Sequence, residues 1–398
     1  MGTTRRKSGV LSGEVEPYRA WLLVRGYTPG SVRLLLRNLS HLGVWLAARG
    51  LPGSEIAEGS VRELLAARRE QGRRAVPGER GISGLLAFLH ERGLLAEVRQ
   101  DTSPRERLVA EFRDWMVGER GLAAATVLRY ENTARRFLSE QALREGVLDV
   151  TALTGADVNA FLLRECARVS AGSAKGRVAE LRALLAFLYV HELIPLRLGA
   201  AVPPVGGWRL ATIPRVVSSV DVQRVIDSCD TSALEGARNR AIMLLVARLG
   251  LRSIEVARLE LDDVDWRSGE LTVRGKGRRE DLLPLPNDVG EALSGYLARR
   301  GRQDGSRRIF LTCRAPRGPI RPDLVNDVVE RGCTRSGIAR FGPHRMRHAL
   351  AGELLRHGVG LVAISQVLRH QDLATTAVYA KVDLAALHQV ARPWPVTR

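Results

Sequence analysis

Six side chains in the second half of the sequence have the types and the order that phosphodiester chemistry without a metal would use. Arg252 stands in Gly250-Leu251-Arg252, with Glu255 three positions on. Lys276 stands in Gly275-Lys276-Gly277. His344 and Arg347 stand in His344-Arg345-Met346-Arg347-His348. His370 closes Leu368-Arg369-His370, and Tyr379 follows nine residues later. A tyrosine phenol has a pKa near 10 and is a weak nucleophile at neutral pH. Its attack on a phosphodiester puts extra negative charge on the non-bridging oxygens. Guanidinium forks match those oxygens and stay charged. Losing one such preorganised donor typically costs about 10²–10³ in rate. The departing sugar oxygen needs a proton, which a lysine on a hairpin can deliver.

Lysine is a marked choice here. Of 61 basic residues only four are lysines, Lys7, Lys175, Lys276 and Lys381. Arginine cannot release a proton near neutral pH, whereas a lysine with a lowered pKa can. Taken singly, each residue has a plainer reading. Tyr379 reads as a helix-packing residue, His344 as a capping or surface histidine, and Arg252 as a solvated charge. His344 and His348 at i and i+4 lack the HExxH pattern of a metal site. Gly275-Lys276-Gly277 is too short for a P-loop and precedes no helix.

The elements that would position the set follow from local pattern. Ala237 to Leu249 reads as a buried helix that ends in a glycine turn just before Arg252. Leu271 to Arg274 and Asp281 to Leu285 read as strands flanking the Lys276 turn. Val220 to Cys229 and Asp323 to Ser336 read as helices. Pro343 fits the start of a helix running to His357, on which His344 and Arg347 share a face. Further helices are expected over Leu361 to Arg369 and Leu373 to Lys381, the latter capped by Asp372.

The first half repeats itself. Tyr18-Arg-Ala-Trp21 parallels Phe112-Arg-Asp-Trp115, Arg25-Gly26 parallels Arg120-Gly121, and Leu-Leu-Ala-Phe-Leu occurs at both Leu85–Leu89 and Leu184–Leu188. The alternative is a chance match of leucine-rich helices, but the agreement is ordered along the whole length. About four helices per copy are expected, with a basic loop over 73–81 in the first.

Composition narrows the class. A net charge of +18 and a pI of about 10.9 favour a polyanionic partner, nucleic acid first. Aromatics at 5% argue against a single-strand reader that stacks bases. No apolar run reaches membrane-spanning length, and the N-terminus lacks a signal-peptide pattern. Cys166, Cys229, Cys313 and Cys333 lie far apart with no CxxC pair, as expected of free thiols in a reducing cytoplasm.

Taken together, these motifs resemble the tyrosine recombinases, or phage integrase family. The family pattern is Gly-Leu-Arg with an acidic residue three positions later, Gly-Lys-Gly in a hairpin, His-x-x-Arg-His, Leu-Gly-His, and a tyrosine nine residues on. The resemblance spans roughly 216–390, and the second helical copy is similar to the family's core-binding domain. It implies Tyr379 as nucleophile forming a 3′-phosphotyrosyl link, Arg252 and Arg347 as phosphate clamp, and His344 and His370 as phosphate ligands or proton-transfer groups. It further implies Lys276 as the acid for the 5′-oxygen and Glu255 as support. Neither ATP, metal nor other cofactor is implied. The expected partner is double-stranded DNA, bound by a homo-tetramer or with sister recombinases, in the cytoplasm at the nucleoid. Affinity dominated by phosphate contacts should fall steeply with salt.

The expected architecture is multidomain. A basic tail over 1–13 precedes two mainly α helical domains of the SAM-like core-binding type, over 14–100 and 104–198. A linker over 199–215 leads to an α+β catalytic domain with a small antiparallel sheet over 216–383, and a tail over 384–398 is a candidate for docking on a neighbouring protomer. The first copy is expected to be an extra DNA-binding unit, which leans the reading toward integration or transposition of a mobile element. Rival readings are a type IB topoisomerase and a non-catalytic DNA-binding relative. Two departures stand out: Arg369 replaces the family's glycine, adding a phosphate contact or shifting His370, and Ser253-Ile254 inverts the usual apolar-then-small order.

Overall fold

The computed structural model describes residues 9–54, 56, 58–70, 79–95, 103–144, 147–204, 217–275, 279–301 and 306–369. The chain divides into two compact units, Ala96–Ala211 and Met1–Leu95 with Thr212–Arg398. Three large apolar cores lie within them.

The first helical copy comprises α1 (Val15–Val24), α2 (Pro29–Ala48), α3 (Glu58–Glu70) and α4 (Glu79–Glu91). Thr28 starts α2 by accepting from the Ser31 amide at 3.3 Å, with Pro29 in the first turn. Leu35, Leu39, Leu42 and Leu46 then recur at helical spacing and are buried. Residues 79–81, expected in the basic loop, instead open α4; residues 73–78 lie outside the described residues.

The second copy comprises α5 (Pro104–Gly118), α6 (Ala124–Phe137), α7 (Gly155–Ala167) and α8 (Ala171–Val190). A short antiparallel hairpin, β1 (Leu143–Arg144) with β2 (Val147–Leu148), joins α6 to α7. Thr154 and Asp157 cap α7 reciprocally. The same ring trio anchors both copies. Tyr18 and Trp21 pack on Phe88 with centroids 4.7 and 6.0 Å away, and Phe112 and Trp115 pack on Phe187 at 5.3 and 5.7 Å. The aligned sequence positions therefore fill the same place in each core.

The third core belongs to α9 (Ser219–Asp227), α10 (Leu234–Leu249), α11 (Ser253–Arg258), β3 (Val264–Asp265), β4 (Glu270–Arg274), β5 (Glu280–Pro284), α12 (Asn287–Arg300), α13 (Pro322–Ser336), α14 (Pro343–Arg356) and α15 (Leu361–Val367). Ala241 to Val246 of α10 are buried on every face, which makes α10 the central element. The sheet is antiparallel in the order β3-β4-β5, with Leu271 opposite Leu283 and Leu271 and Val273 turned into the core. Residues 205–215 of the linker lie outside the described residues, and Leu198–Ala201 forms a 3-10 turn at its start. Among the described residues no helix is long and apolar enough to cross a membrane.

Candidate active site

The site is built where α10 stops. Gly250 takes a left-handed conformation, φ +58, and turns the chain out of the helix. Leu251 re-enters the core, and Arg252 becomes the residue preceding α11. Glu255, in the first turn of α11, folds back: its Oε2 accepts from the Arg252 amide at 2.8 Å and its Oε1 from Arg252 Nη1 at 2.6 Å. The helix start thus fixes both backbone and side chain of Arg252.

α14 supplies the second arm. Pro343 opens it, and His344 and Arg347 follow on one face, as their spacing requires. Arg347 is buried and donates to the carbonyls of Gly250 and Leu368. Those carbonyls sit just past α10 and α15, at helix ends whose last C=O groups lack helical partners. Arg252, Ser253, His344 and Arg347 line one shallow cleft with Leu251 and Pro343. Two guanidinium-bearing elements 95 residues apart in sequence therefore meet at one cleft.

His344 stands at the open mouth of this cleft. Partial desolvation, then the charges of Arg347 and Arg252, lower its pKa below 6.5. His348 is lowered likewise, by desolvation and then by His344 and Arg347. Burial would raise the Glu255 carboxyl, but the charge of Arg369 and the bonds from Arg252 outweigh it, and the carboxyl stays below its ordinary value. Glu255 is therefore ionised at neutral pH, and His344 is neutral.

Two residues singled out in the sequence only as departures from the family pattern belong to the site. Ser253 lines the cleft, and its reversal with Ile254 was the only signal. Arg369 turns inward and is buried. Its Nη2 reaches Glu255 Oε2 at 2.9 Å and the Gly250 carbonyl at 3.2 Å, and its Nη1 reaches the carbonyls of Leu249 and Val367. Of the two expectations for Arg369, an added phosphate contact gives way to buried bonds, and a shift of His370 concerns a residue outside the described ones. The Gly275 amide closes the β4–β5 hairpin on the Arg279 carbonyl at 2.7 Å, as the strand pattern predicts. Lys276, His370 and Tyr379 lie outside the described residues, as do the expected helix over Leu373 to Lys381 and the tail.

A separate basic surface occupies the second copy. Glu180 of α8, buried, accepts from Arg177 at 2.8 Å and pairs with Arg129 at 2.6 Å, while Thr133 donates to it at 2.6 Å. Glu165 of α7, also buried, pairs with Arg136 at 2.9 Å. Buried carboxylates thus anchor arginines whose guanidiniums stay partly solvated.

Residues 215–385 match the sequence pattern of the phage integrase family. The integrase/recombinase y4rA of Sinorhizobium fredii is 38% identical over 98% of this chain and 96% of its own length. The tyrosine recombinase XerD of Mycobacterium tuberculosis is 32% identical over 70% of this chain and 94% of its own. The chain belongs to the tyrosine recombinases of the phage integrase family. The fold agrees. A XerH recombinase bound to its difH substrate superposes with a TM-score of 0.55 at 17% identity, over 91% of this chain and 96% of that one. A lambda integrase dimer on a core site, residues 75–356, gives 0.53 at 16% identity over 68% and 96%. As a tyrosine recombinase the chain is a site-specific DNA recombinase, and Arg252, His344 and Arg347 occupy one cleft of its catalytic fold.

Proposed function

We propose that this recombinase cuts and rejoins duplex DNA through a 3′-phosphotyrosyl intermediate on Tyr379, and that it serves the integration or transposition of a mobile element. The convergence of Arg252 and Arg347 on one cleft carries the reading, because two fixed guanidiniums match a phosphodiester passing through a five-coordinate state. Tyr379 Oη bonds to phosphorus while the bond from phosphorus to the 5′-oxygen breaks. The phenolic proton leaves through a histidine, His344 or His370, and Lys276 protonates the departing 5′-oxygen. The new ester conserves the energy of the old one, so no ATP enters, and the arginines supply the charge stabilisation that a metal would give elsewhere. Attack by a 5′-hydroxyl on the phosphotyrosine reverses each transfer and reseals the strand.

The mobile-element reading draws on length. The relatives y4rA and y4rF, both named integrase/recombinase, match 98% of this chain, whereas the XerD relatives match about 70%. The sequence beyond the XerD pattern is thus shared with proteins named for integration. The first helical copy and the anchored arginines of the second would grip duplex DNA, mainly through phosphates. The working assembly would be a tetramer on two duplexes, homomeric or with sister recombinases, at the nucleoid in the cytoplasm.

Arg252→Ala tests this assignment in a cleavage assay run in EDTA. The variant is expected to bind its DNA site within a few-fold of wild type by gel shift and to cleave about 10²–10³ times more slowly. Cleavage near the wild-type rate would remove Arg252 from the clamp.

A further inference from the structure

Arg369 occupies a position where its residue type is disfavoured. Its φ is +53, a backbone state that glycine takes freely and that strains an L side chain. The family pattern has glycine here. Arginine is nevertheless accommodated, with its side chain 3% exposed. Its guanidinium bonds three main-chain carbonyls, those of Leu249, Gly250 and Val367, and the Glu255 carboxylate. Its own carbonyl accepts from Arg252 Nη2 at 2.9 Å.

The consequence lies in how Glu255 divides its two oxygens. Oε2 receives the Arg252 amide and Arg369 Nη2, and Oε1 alone receives the Arg252 side chain. A buried carboxylate next to a single arginine favours a two-pronged pair, both oxygens against both prongs of the fork. That pairing would draw the Arg252 guanidinium down onto Glu255. With Arg369 on Oε2, Arg252 is held by one prong on Glu255 and one on the Arg369 carbonyl. The side chain of Arg252 remains 35% exposed along the cleft, with donors left for an anion.

We propose that Arg369 is a positioning residue for strand cleavage: by taking up Glu255 Oε2 and the carbonyls behind Gly250, it keeps Arg252 from closing onto Glu255 and holds its remaining donors toward the scissile phosphate. Arg369 touches no substrate and acts through Glu255 and Arg252. The inference rests on the phosphate-clamp reading of Arg252.

Matched variants test it in the full-length protein. Arg369→Gln and Arg369→Lys carry similar backbone strain and differ in the charge presented to Glu255. Arg369→Gln is expected to cleave about 10²-fold more slowly, the scale of a clamp displaced by about 1 Å, with DNA binding little changed. Arg369→Lys recovers at least about tenfold of that loss. The deciding result is the double variant. Glu255→Gln slows the wild type but speeds Arg369→Gln by about tenfold or more, because it removes the pull on Arg252. A residue that merely fills space predicts losses in both backgrounds, and that outcome overturns the proposal. If Arg369→Gln does not fold, Arg369→Gly replaces it, since glycine takes the same φ without cost.

A second readout needs no catalysis. In DNA-free protein, carbon-13 titration of the Glu255 carboxyl is expected below 4.5 in wild type and higher once Arg369 loses its charge. An unchanged midpoint refutes the coupling whatever the cleavage data say. If wild type fails to cleave any DNA while the titration moves as expected, the clamp reading fails and the Arg369–Glu255–Arg252 coupling stands.

Discussion

At the scale of single residues, the cleft sets its chemistry by charge. Around it lie three guanidiniums, those of Arg252, Arg347 and Arg369, and one ionised carboxylate, that of Glu255. Partial desolvation, reinforced by the charges of Arg347 and Arg252, makes the His344 pKa lower folded than unfolded. Between the two values the unfolded chain binds more protons, so stability rises with pH through that window and levels off above about 6.5. An anion in the cleft reverses the local field. By linkage, binding phosphate must then raise the His344 pKa and take up protons. Proton NMR of His344 is expected to show a midpoint below 6.5 in the free protein that climbs when inorganic phosphate or duplex DNA is added. A midpoint indifferent to the anion would show that His344 does not face the phosphate. The identities of these residues were legible in the sequence because order and spacing fixed them jointly. The inward turn of Arg369 was not, since it depends on a positive φ after α15 and on carbonyls contributed by α10, far away in sequence.

At the scale of elements, the site depends on how helices end. Gly250 is required twice, by its φ of +58 and by space. A Cβ there would lie 2.8 Å from Leu368 Cδ2 and 3.3 Å from Leu350 Cδ2. Leu368 also offers the carbonyl that Arg347 holds. Gly250→Ala is therefore expected to lower unfolding stability by at least about 1 kcal/mol, read as a lower urea midpoint at unchanged slope, and to impair cleavage more than DNA binding. An unchanged midpoint would mean that the turn tolerates a side chain and that α10 and α14 are not locked through it. Buried α10 and the hairpin strands were readable from apolar runs and turn residues. α12 was not, because Gly290 and Gly295 dilute its helical signal. It forms because Val289, Leu293 and Tyr296 bury one face in the catalytic core, so packing overrides propensity. The β1–β2 hairpin was missed for the converse reason: two-residue strands carry no period to detect.

At the scale of the whole molecule, a chain with net charge +18 carries a catalytic fold and two helical copies built on the same ring trio. The duplication was visible because aligned aromatics at Tyr18, Trp21 and Phe88 recur at Phe112, Trp115 and Phe187, and each trio packs together in its own core. The target sequence was not, since base readout depends on which arginines reach base edges. The central claim, covalent catalysis by a tyrosine, is tested most directly by trapping. Wild type and Tyr379→Phe would be incubated in EDTA with nicked duplexes from the flanks of the gene, stopped in SDS, and the protein–DNA adduct digested for mass spectrometry. A wild-type adduct on the peptide containing Tyr379, attached through a 3′-phosphate, is expected, and none from Tyr379→Phe despite retained binding. An adduct from Tyr379→Phe, or a wild-type adduct on another residue, would contradict it.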